Sequence, residues 1–185
     1  MNNEKILIAS DLHGDAACTD QLLARLDAEG AELCILLGDL LYHGPRNDLP
    51  AGYAPKRSIE LLNAVRDRLL CVRGNCDTEV DQMVLNFPVL ADYAVIVLGG
   101  KRVYLTHGHK WNAENPLPMA KGDLMLCGHT HVPTVIPFGD GNRYLNPGSV
   151  SIPKEQSPKS YMVYENGVFE WKRLENGEVY RTEAL

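Results

Sequence analysis

The sequence predicts an α/β fold in which two β-sheets face each other and helices flank them. Its 185 residues, 45% hydrophobic and 23% charged, are enough for one domain with a sizeable core. The N-terminal part alternates strand-like apolar runs with helical periodicity, whereas the part after about residue 92 holds short strand candidates separated by turns. Because neither half could cover its apolar faces alone, we expect a single domain over residues 1–185.

The N-terminal half is predicted to form parallel strands joined by helices, because strand, helix, strand, helix and strand follow one another. Leu22, Leu23 and Leu26 recur at helical spacing before Gly30, a typical helix stop. After a loop over 42–54, Pro55 suits the first turn of a second helix. The expected strands are 5–9, 33–37 and 69–72, and the expected helices are 15–29 and one that starts at 55.

The C-terminal half is predicted to consist mainly of hairpins that form a second sheet. Glycine-containing turns at 99–100, 139–142, 166–167 and 176–177 lie between apolar runs, as in β-hairpins. The expected strands are 95–98, 102–106, 124–127, 134–137, 143–145 and 161–164.

Charge and hydropathy exclude several classes of protein. The net charge of −6 opposes binding to long nucleic acid, and the apolar runs are far shorter than the roughly 18 residues of a membrane span. Residues 1–5 lead directly into a strand without the pattern of a secretory signal. Five cysteines without a C-x-x-C pair indicate free thiols, so we expect a cytoplasmic protein without a membrane partner.

Polar side chains collect where predicted strands end. In open α/β sheets, ligands bind beyond the carboxyl ends of the strands, so these side chains predict a site. The residues of each pair Asp11/His13 and His129/His131 are two positions apart, which lets both side chains of a pair point the same way. An isolated histidine is more often a packed or surface residue, but several motifs together favour a metal site. The candidates are Asp11, His13, Asp39, Asn75, His107, His109, His129 and His131.

The ordered motifs resemble those of calcineurin-like metallophosphoesterases over residues 6 to 153. They are Asp11-x-His13, Gly38-Asp39, Gly74-Asn75, His107 and Gly128-His129-x-His131. The segments 43–47, 73–77 and 146–153 are similar to those of a manganese-dependent bacterial phosphodiesterase branch of that family. The resemblance implies a four-layer α-β-β-α sandwich with a two-metal site at the carboxyl ends of the strands.

The resemblance also assigns metal ligands. One ion would take Asp11, His13 and His131; the other would take Asn75, His107 and His129; and Asp39 would bridge them. Mixed nitrogen and oxygen ligands suit manganese, iron or zinc, and the resemblance favours two Mn²⁺ ions. With a bridging hydroxide the site would keep about one positive charge, which suits an anionic ester. The expected reaction is hydrolysis of a small phosphodiester by that hydroxide, with Asp39 and Asn75 in catalytic positions.

One departure from the family pattern concerns the proton donor for the leaving group. Many relatives carry histidine after Gly-Asn, and this chain has Cys76, a weaker acid near neutral pH. Cys76 is therefore either a catalytic residue or a packing residue, and His109 and His43 are alternative donors. On the loop after Asp39, His43 and Arg46 are candidates for substrate binding, although a solvated loop is as good an interpretation.

Other functions remain as alternatives to the enzyme. Some relatives of this fold are protein-interaction scaffolds with incomplete metal sites, but all seven ligand positions are filled here. Absence of an Asp-Arg pair after Gly-Asp disfavours a protein phosphatase, and the acidic charge disfavours a nuclease. Apolar candidates for exposed positions, together with the resemblance, suggest a homo-oligomer.

Overall fold

The computed structural model describes residues 5–185, so the expected absence of a signal in residues 1–4 lies outside it. The described chain forms eleven strands, three α-helices and one 3₁₀ turn. In chain order these are β1 (Ile6–Ala9), α1 (Ala16–Ala28), β2 (Leu33–Leu36), α2 (Pro55–Ala64), the 3₁₀ turn (Arg66–Arg68), β3 (Leu69–Cys71), α3 (Glu79–Val84), β4 (Ala94–Leu98), β5 (Lys101–Leu105), β6 (Leu124–Leu126), β7 (Thr134–Phe138), β8 (Asn142–Asn146), β9 (Ser160–Glu165), β10 (Val168–Arg173) and β11 (Val179–Ala184).

The first sheet has the strand order β11-β10-β9-β1-β2-β3. Strands β1, β2 and β3 run parallel, as the strand–helix alternation predicts. Ile8 pairs with Ile35, which in turn pairs with Leu70, so the three strand ends lie at one edge of the sheet. This edge is where the candidate ligands of the N-terminal half emerge.

The second sheet has the order β4-β5-β6-β8-β7 and differs in part from the predicted hairpins. Hairpins join β4 to β5 and β7 to β8, but β5, β6 and β8 are parallel to one another. The prediction that the strand near 161–164 joins this sheet is wrong, because β9 pairs antiparallel with β1 in the first sheet. Turn signals fix local reversals of the chain, such as the one from β9 to β10, whereas β1 lies about 150 positions from β9 and leaves no local trace.

Helices α1 and α2 begin at the predicted places. Asp15 caps α1 by accepting a hydrogen bond from the backbone N–H of Cys18, and Pro55 occupies the first turn of α2. The short helix α3 was not predicted from periodicity, since it spans less than two turns. Its local signal is a capping box formed by Thr78 and Asp81.

Two apolar layers cover the first sheet. Its outer face packs against α1 and α2 through Leu22, Leu26 and Leu62. Its inner face meets the second sheet in a core that contains Ile8, Trp171 and strand residues of β5, β6 and β8. This arrangement confirms the predicted pair of facing sheets, and α1 and α2 flank the first of them.

The outer face of the second sheet is covered differently. Ala113 and Met119, in the segment between β5 and β6, pack on Met125 and Tyr144, and no helix is assigned among residues 106–123. Within residues 5–185, no helix is long and apolar enough to cross a membrane.

Candidate metal centre

The candidate site lies where strands of both sheets end. Asp11, Asp39 and Asn75 follow β1, β2 and β3, and the histidines at 107, 129 and 131 follow β5 and β6. Backbone hydrogen bonds from Asp11 to Gly38 O, at 3.1 Å, and from Gly128 to His107 O, at 2.9 Å, join neighbouring loops within each sheet. A hydrogen bond of 3.0 Å from the N–H of His129 to Asp11 Oδ2 joins the two sheets.

The first cluster of side chains consists of Asp11, His13 and His131. His13 Nε2 lies 3.2 Å from His131 Nε2, and Asp11 Oδ1 lies 3.5 Å from the former and 3.1 Å from the latter. All three side chains are almost fully buried, with at most 3% of each residue exposed. We call this set the buried triad.

The second cluster consists of Asn75, His107 and His129. His107 Nε2 lies 3.1 Å from Asn75 Oδ1 and 3.3 Å from His129 Nδ1. His107 is fully buried, His129 is half-buried and Asn75 is exposed. We call this set the open triad.

Asp39 lies between the two triads. Its Oδ2 is 3.8 Å from His13 Nε2 in the buried triad and 3.4 Å from His107 Nε2 in the open triad. Its other oxygen, Oδ1, accepts a hydrogen bond of 2.8 Å from the backbone N–H of Cys76. The carboxylate is therefore held by one oxygen and presents the other to both triads.

Backbone carbonyls orient three of the imidazoles. The Nδ1 atoms of His13, His107 and His131 lie 2.6–2.7 Å from the carbonyl oxygens of Tyr42, Leu37 and Ile152, so each donates a hydrogen bond there. Donation from Nδ1 leaves the Nε2 lone pair directed at the cluster. Metal-binding histidines are commonly fixed in this way.

The backbone at the site adopts left-handed conformations that side-chain-bearing residues rarely use. The φ angles of Asp11, His13, Asp39, His129 and His131 lie between 47° and 69°. Such conformations are uncommon outside glycine and concentrate at functional sites. The surrounding loops therefore hold five candidate ligands against their intrinsic backbone preference.

Gly74 and Gly128 let the loops approach one another. A Cβ at Gly74 would collide with the carboxylate and backbone of Asp39, and a Cβ at Gly128 would collide with Ser10 and reach Asp11 Oδ2 at 2.7 Å. Glycine is needed at both places because a side chain would push the loops apart.

Asp77 ties two ligand loops together, a role that the sequence analysis missed. Its carboxylate accepts hydrogen bonds of 2.7–2.9 Å from the backbone N–H groups of Asp39, Leu40 and Gly74. Burial is the largest influence on this carboxyl group and raises its pKa to about 6. The position of Asp77 two residues after Asn75 was its only sequence signal.

Serines after β8 support the buried triad from the other side. Ser149 and Ser151 both donate hydrogen bonds, of 2.8 and 2.9 Å, to the backbone carbonyl of Asp11. Asn146 donates to the carbonyl of Gly128, directly before His129. The segment 146–151 therefore braces the loops that carry Asp11 and His129.

The electrostatics of the cluster favour a bound cation. Burial opposes charge on these groups, but the neighbouring histidines hold the pKa of Asp11 well below its usual range. In the same way, burial opposes protonation of His107, and Asp39 and Asp11 outweigh it and raise the pKa to about 9. A positive charge between the carboxylates and imidazoles is thus stabilised, and a metal ion can replace the proton.

The donor set fits a divalent metal ion. Asp11 Oδ1 is buried and receives no well-directed hydrogen bond, although imidazole nitrogens surround it. A buried acceptor without a donor is costly, and a cation coordinated by it would remove that cost. Within residues 5–185, three sets of side chains place potential ligand atoms within 4.8 Å of one another: Asp11, His13 and His131; Asp11, Asp39 and His107; and His13, Asp39 and Cys76.

A polar cleft opens directly over these residues. Cys76 is buried at its floor, and its Sγ lies near His13 and Asp39. The loop residue Arg46 lines the cleft, as does Lys154, for which the sequence analysis found no signal. The described residues that line the cleft are Asp39, Gly44, Pro45, Arg46, Asn47, Asn75, Cys76, His129, His131 and Lys154.

Two further candidate residues lie beside the cleft rather than in its lining. The His109 ring centroid is 5.4 Å from that of His107, and burial together with the neighbouring histidines lowers its pKa to about 4. The His43 ring packs edge-on against Tyr42 and Tyr53, with centroids 4.7 and 5.4 Å apart.

The chain is similar to known proteins in both sequence and structure. The profile of the calcineurin-like phosphoesterase superfamily domain matches residues 5–167. Phosphodiesterase YfcE of Escherichia coli strain K12 is 45% identical over 164 residues, which are 89% of this chain and 89% of that protein.

Solved structures give the same relationship. The structure described as YfcE, a phosphoesterase from E. coli, superposes with a TM-score of 0.93 and 42% identity, covering 97% of this chain and 98% of that one. Vacuolar protein sorting 29 of Cryptosporidium parvum shares the fold, with a TM-score of 0.62 and 18% identity over 99% of both chains. The profile match and the high identity to YfcE together show that the chain belongs to the calcineurin-like phosphoesterase superfamily.

Proposed function

We propose that this protein is a metal-dependent phosphodiesterase that hydrolyses small phosphodiesters with two divalent ions. The observation that carries the proposal is the pair of triads joined by Asp39, whose Oδ2 is within 3.8 Å of a histidine nitrogen in each. The 45% identity to a phosphodiesterase over most of the chain supports the same reaction.

Each triad would hold one ion. Asp11, His13 and His131 would bind the first and Asn75, His107 and His129 the second, with Asp39 shared between them. Two ions at such a site supply an activated water and neutralise charge on the phosphate. Mn²⁺ is our choice of metal, and the same donor set would accept iron or zinc.

The residues of the chain orient the reaction. Asp39 keeps one oxygen free because the other is bound by the N–H of Cys76. Asn75 is exposed and lines the cleft, where its amide would help to hold the second ion beside the phosphate. Arg46 lines the same cleft and contacts the anionic substrate. His43 supports the loop that carries Arg46, because the side chain of Asn47 donates a hydrogen bond of 2.8 Å to the backbone carbonyl of His43.

We further propose that Cys76 or His109 assists departure of the leaving group. Cys76 lies in the cleft lining, and the amide of Asn75 contacts its Sγ at 3.2 Å. His109 lies outside the cleft lining, and its ring packs beside that of His107. The geometry favours Cys76, because it lines the cleft whereas His109 does not.

Other properties follow from the same reading. Five free cysteines suit the reducing cytoplasm. The exposed apolar side chains of Val80 and Met83 on α3 support association into a homo-oligomer.

We treat residues 1–185 as one metallophosphoesterase domain with no long nucleic acid or membrane as partner. A protein-interaction scaffold would have no need of seven convergent ligand side chains, so we prefer the enzyme.

The test is hydrolysis by purified protein stripped of metal and reloaded. We expect turnover of an aryl phosphodiester with added Mn²⁺, loss of turnover with a chelator, and recovery when Mn²⁺ is restored. Linear DNA serves as the control substrate and should remain intact. No hydrolysis of any small phosphodiester by the Mn²⁺-loaded protein would contradict the proposal.

A further inference from the structure

We propose that Arg46 and Lys154 form a second anion subsite in the cleft, which selects phosphodiesters that carry an additional phosphate or carboxylate. This inference rests on the proposed function and names the substrate class for the same site. The two residues come from loops that are far apart in sequence, yet both line the cleft that contains Asp39 and Asn75.

Arg46 is presented by an ordered turn. The backbone N–H of Asn47 donates to the carbonyl of Gly44, at 3.4 Å, and the Asn47 side chain donates to the carbonyl of His43, at 2.8 Å. The loop also packs against the floor of the cleft, because a Cβ at Gly44 would lie 3.3 Å from Cys76 Sγ. These contacts fix the loop that carries the guanidinium.

Lys154 is presented by a second tight turn, anchored directly to a candidate ligand. Its backbone N–H donates to the carbonyl of His131 at 3.2 Å, and Ser157 closes the turn by donating to the carbonyl of Lys154 at 3.0 Å. Glu155 and Gln156 both have positive φ, of 53° and 59°, as the two central residues of a type I′ turn do. The backbone of Lys154 is therefore fixed beside the buried triad.

The charges of both side chains are free to meet a ligand. Among residues 5–185, neither Arg46 nor Lys154 has an ion pair or a side-chain hydrogen bond, whereas most basic residues of this acidic chain are paired. Among the described residues that line the cleft, Asp39 is the one acidic residue. The cleft is thus a locally basic region on a protein of net charge −6.

The positive charge of Arg46 and Lys154 exceeds what binding of a simple diester needs. Bound divalent ions would already neutralise the single negative charge of the scissile group. The positively charged side chains of Arg46 and Lys154, each carried by its own loop, match a second anionic group on the substrate. Arginine and lysine both bind phosphate and carboxylate oxygens, and arginine can do so with two hydrogen bonds.

The test compares p-nitrophenyl phosphodiesters that differ only at the end of a short alkyl tail. One tail ends in a phosphate, one in a carboxylate and one in a neutral carboxamide. We expect the Mn²⁺-loaded protein to prefer the charged tails by about tenfold in kcat/KM, and to lose that preference at about 1 M salt, where screening acts within ~3 Å. The phosphate and carboxylate arms show which anion the subsite takes.

Variants assign the preference to the two residues. The double variant Arg46→Gln, Lys154→Met should reduce the charged-to-neutral ratio of kcat/KM to near one. Loss of the Arg46 contact with the scissile phosphate lowers kcat/KM for all three substrates alike, so the ratio is the readout. Lys101→Met is the matched control, because Lys101 starts β5 at the end opposite to His107. Calorimetric binding of non-hydrolysable phosphonate analogues with the same tails should show the same ratios without turnover.

The outcomes separate the two proposals. If wild-type protein hydrolyses all three substrates with equal kcat/KM, or if the double variant keeps the wild-type ratio, the subsite does not exist while the phosphodiesterase stands. If the wild-type protein hydrolyses none of them, the proposed function fails and the subsite with it.

Discussion

The buried and open triads are built from similar side chains but differ in solvation and support. Asp11, His13 and His131 are at most 3% exposed, and carbonyl oxygens orient both imidazoles of that triad. In the open triad only His107 is both buried and oriented in this way, while Asn75 is exposed.

The triads also differ in charge. The buried triad contains a full carboxylate, Asp11, whereas the open triad contributes a neutral amide, Asn75, and depends on Asp39 for negative charge. A preorganised, negatively charged and desolvated site binds a cation more strongly than a solvated neutral one. We therefore expect the ion in the buried triad to be held tightly. The ion in the open triad should exchange more readily, because Asn75 and His129 line the cleft that the substrate enters.

The largest expected effect comes from removing the residue that joins the triads. Asp39→Ala should lower phosphodiester hydrolysis by at least about 10³-fold, because both triads lose their shared carboxylate. Initial rates at saturating Mn²⁺ measure this effect, with circular dichroism as a check on folding. Asp92→Ala, at an exposed residue paired with Lys110, is the control. Retained activity in Asp39→Ala would refute the bridging assignment.

The next effect separates the triads directly. Asn75→Ala should leave close to one tightly bound metal ion per chain. Asp11→Asn should lower the affinity for the tighter ion by more than the roughly 10–100-fold that is lost when a residue bonded to a metal ligand is removed. Metal content after dialysis, with calorimetric titration, measures both. Equal losses in the two variants would show that the triads do not differ as their burial indicates.

A smaller effect on stability tests the support beneath both triads. Asp77→Ala removes the acceptor for three backbone N–H groups and should lower the free energy of unfolding by about 2–4 kcal/mol. Urea denaturation of the metal-free protein measures this change. Asp140→Ala, at an exposed residue paired with Lys121, should change it little. A stability equal to wild type would mean that Asp77 does not hold the loops.

The smallest effect concerns selectivity rather than rate. Cys76→His should raise hydrolysis of monoesters relative to diesters by about threefold to tenfold, because imidazole is the better proton donor near neutral pH. Paired assays with an aryl monoester and an aryl diester give the ratio, and Cys76→Ala separates proton donation from packing. An unchanged ratio in Cys76→His would make Cys76 a packing residue.

Local signals in the sequence predicted the parts of the fold that are specified locally. The strands β1, β2 and β3 and the helices between them follow from apolar periodicity, from Gly30 as a helix stop and from Pro55 in the first turn of α2. The membership of β9 in the first sheet did not follow, because it depends on pairing with the distant strand β1. The strands β10 and β11 were not among the expected strands, although the turns at 166–167 and 176–177 separate them from β9 and from each other. The helix α3 was too short for its periodicity to show.

The candidate ligands were found because they occur as spaced motifs at strand ends. Lys154 was not found, because an exposed lysine in a turn has no pattern until the turn is seen anchored to His131. Likewise, the role of Asp77 depends on three N–H groups that only the folded loops bring together. Sequence motifs thus identified the candidate ligands, while the residues that support them required the structure.

Anomalous diffraction from crystals soaked in Mn²⁺ tests the central claim most directly. The account predicts two peaks, one within the buried triad and one within the open triad, on either side of Asp39 Oδ2. At limiting Mn²⁺ the peak in the buried triad should be the stronger. A single peak, or none near these seven side chains, would contradict the account.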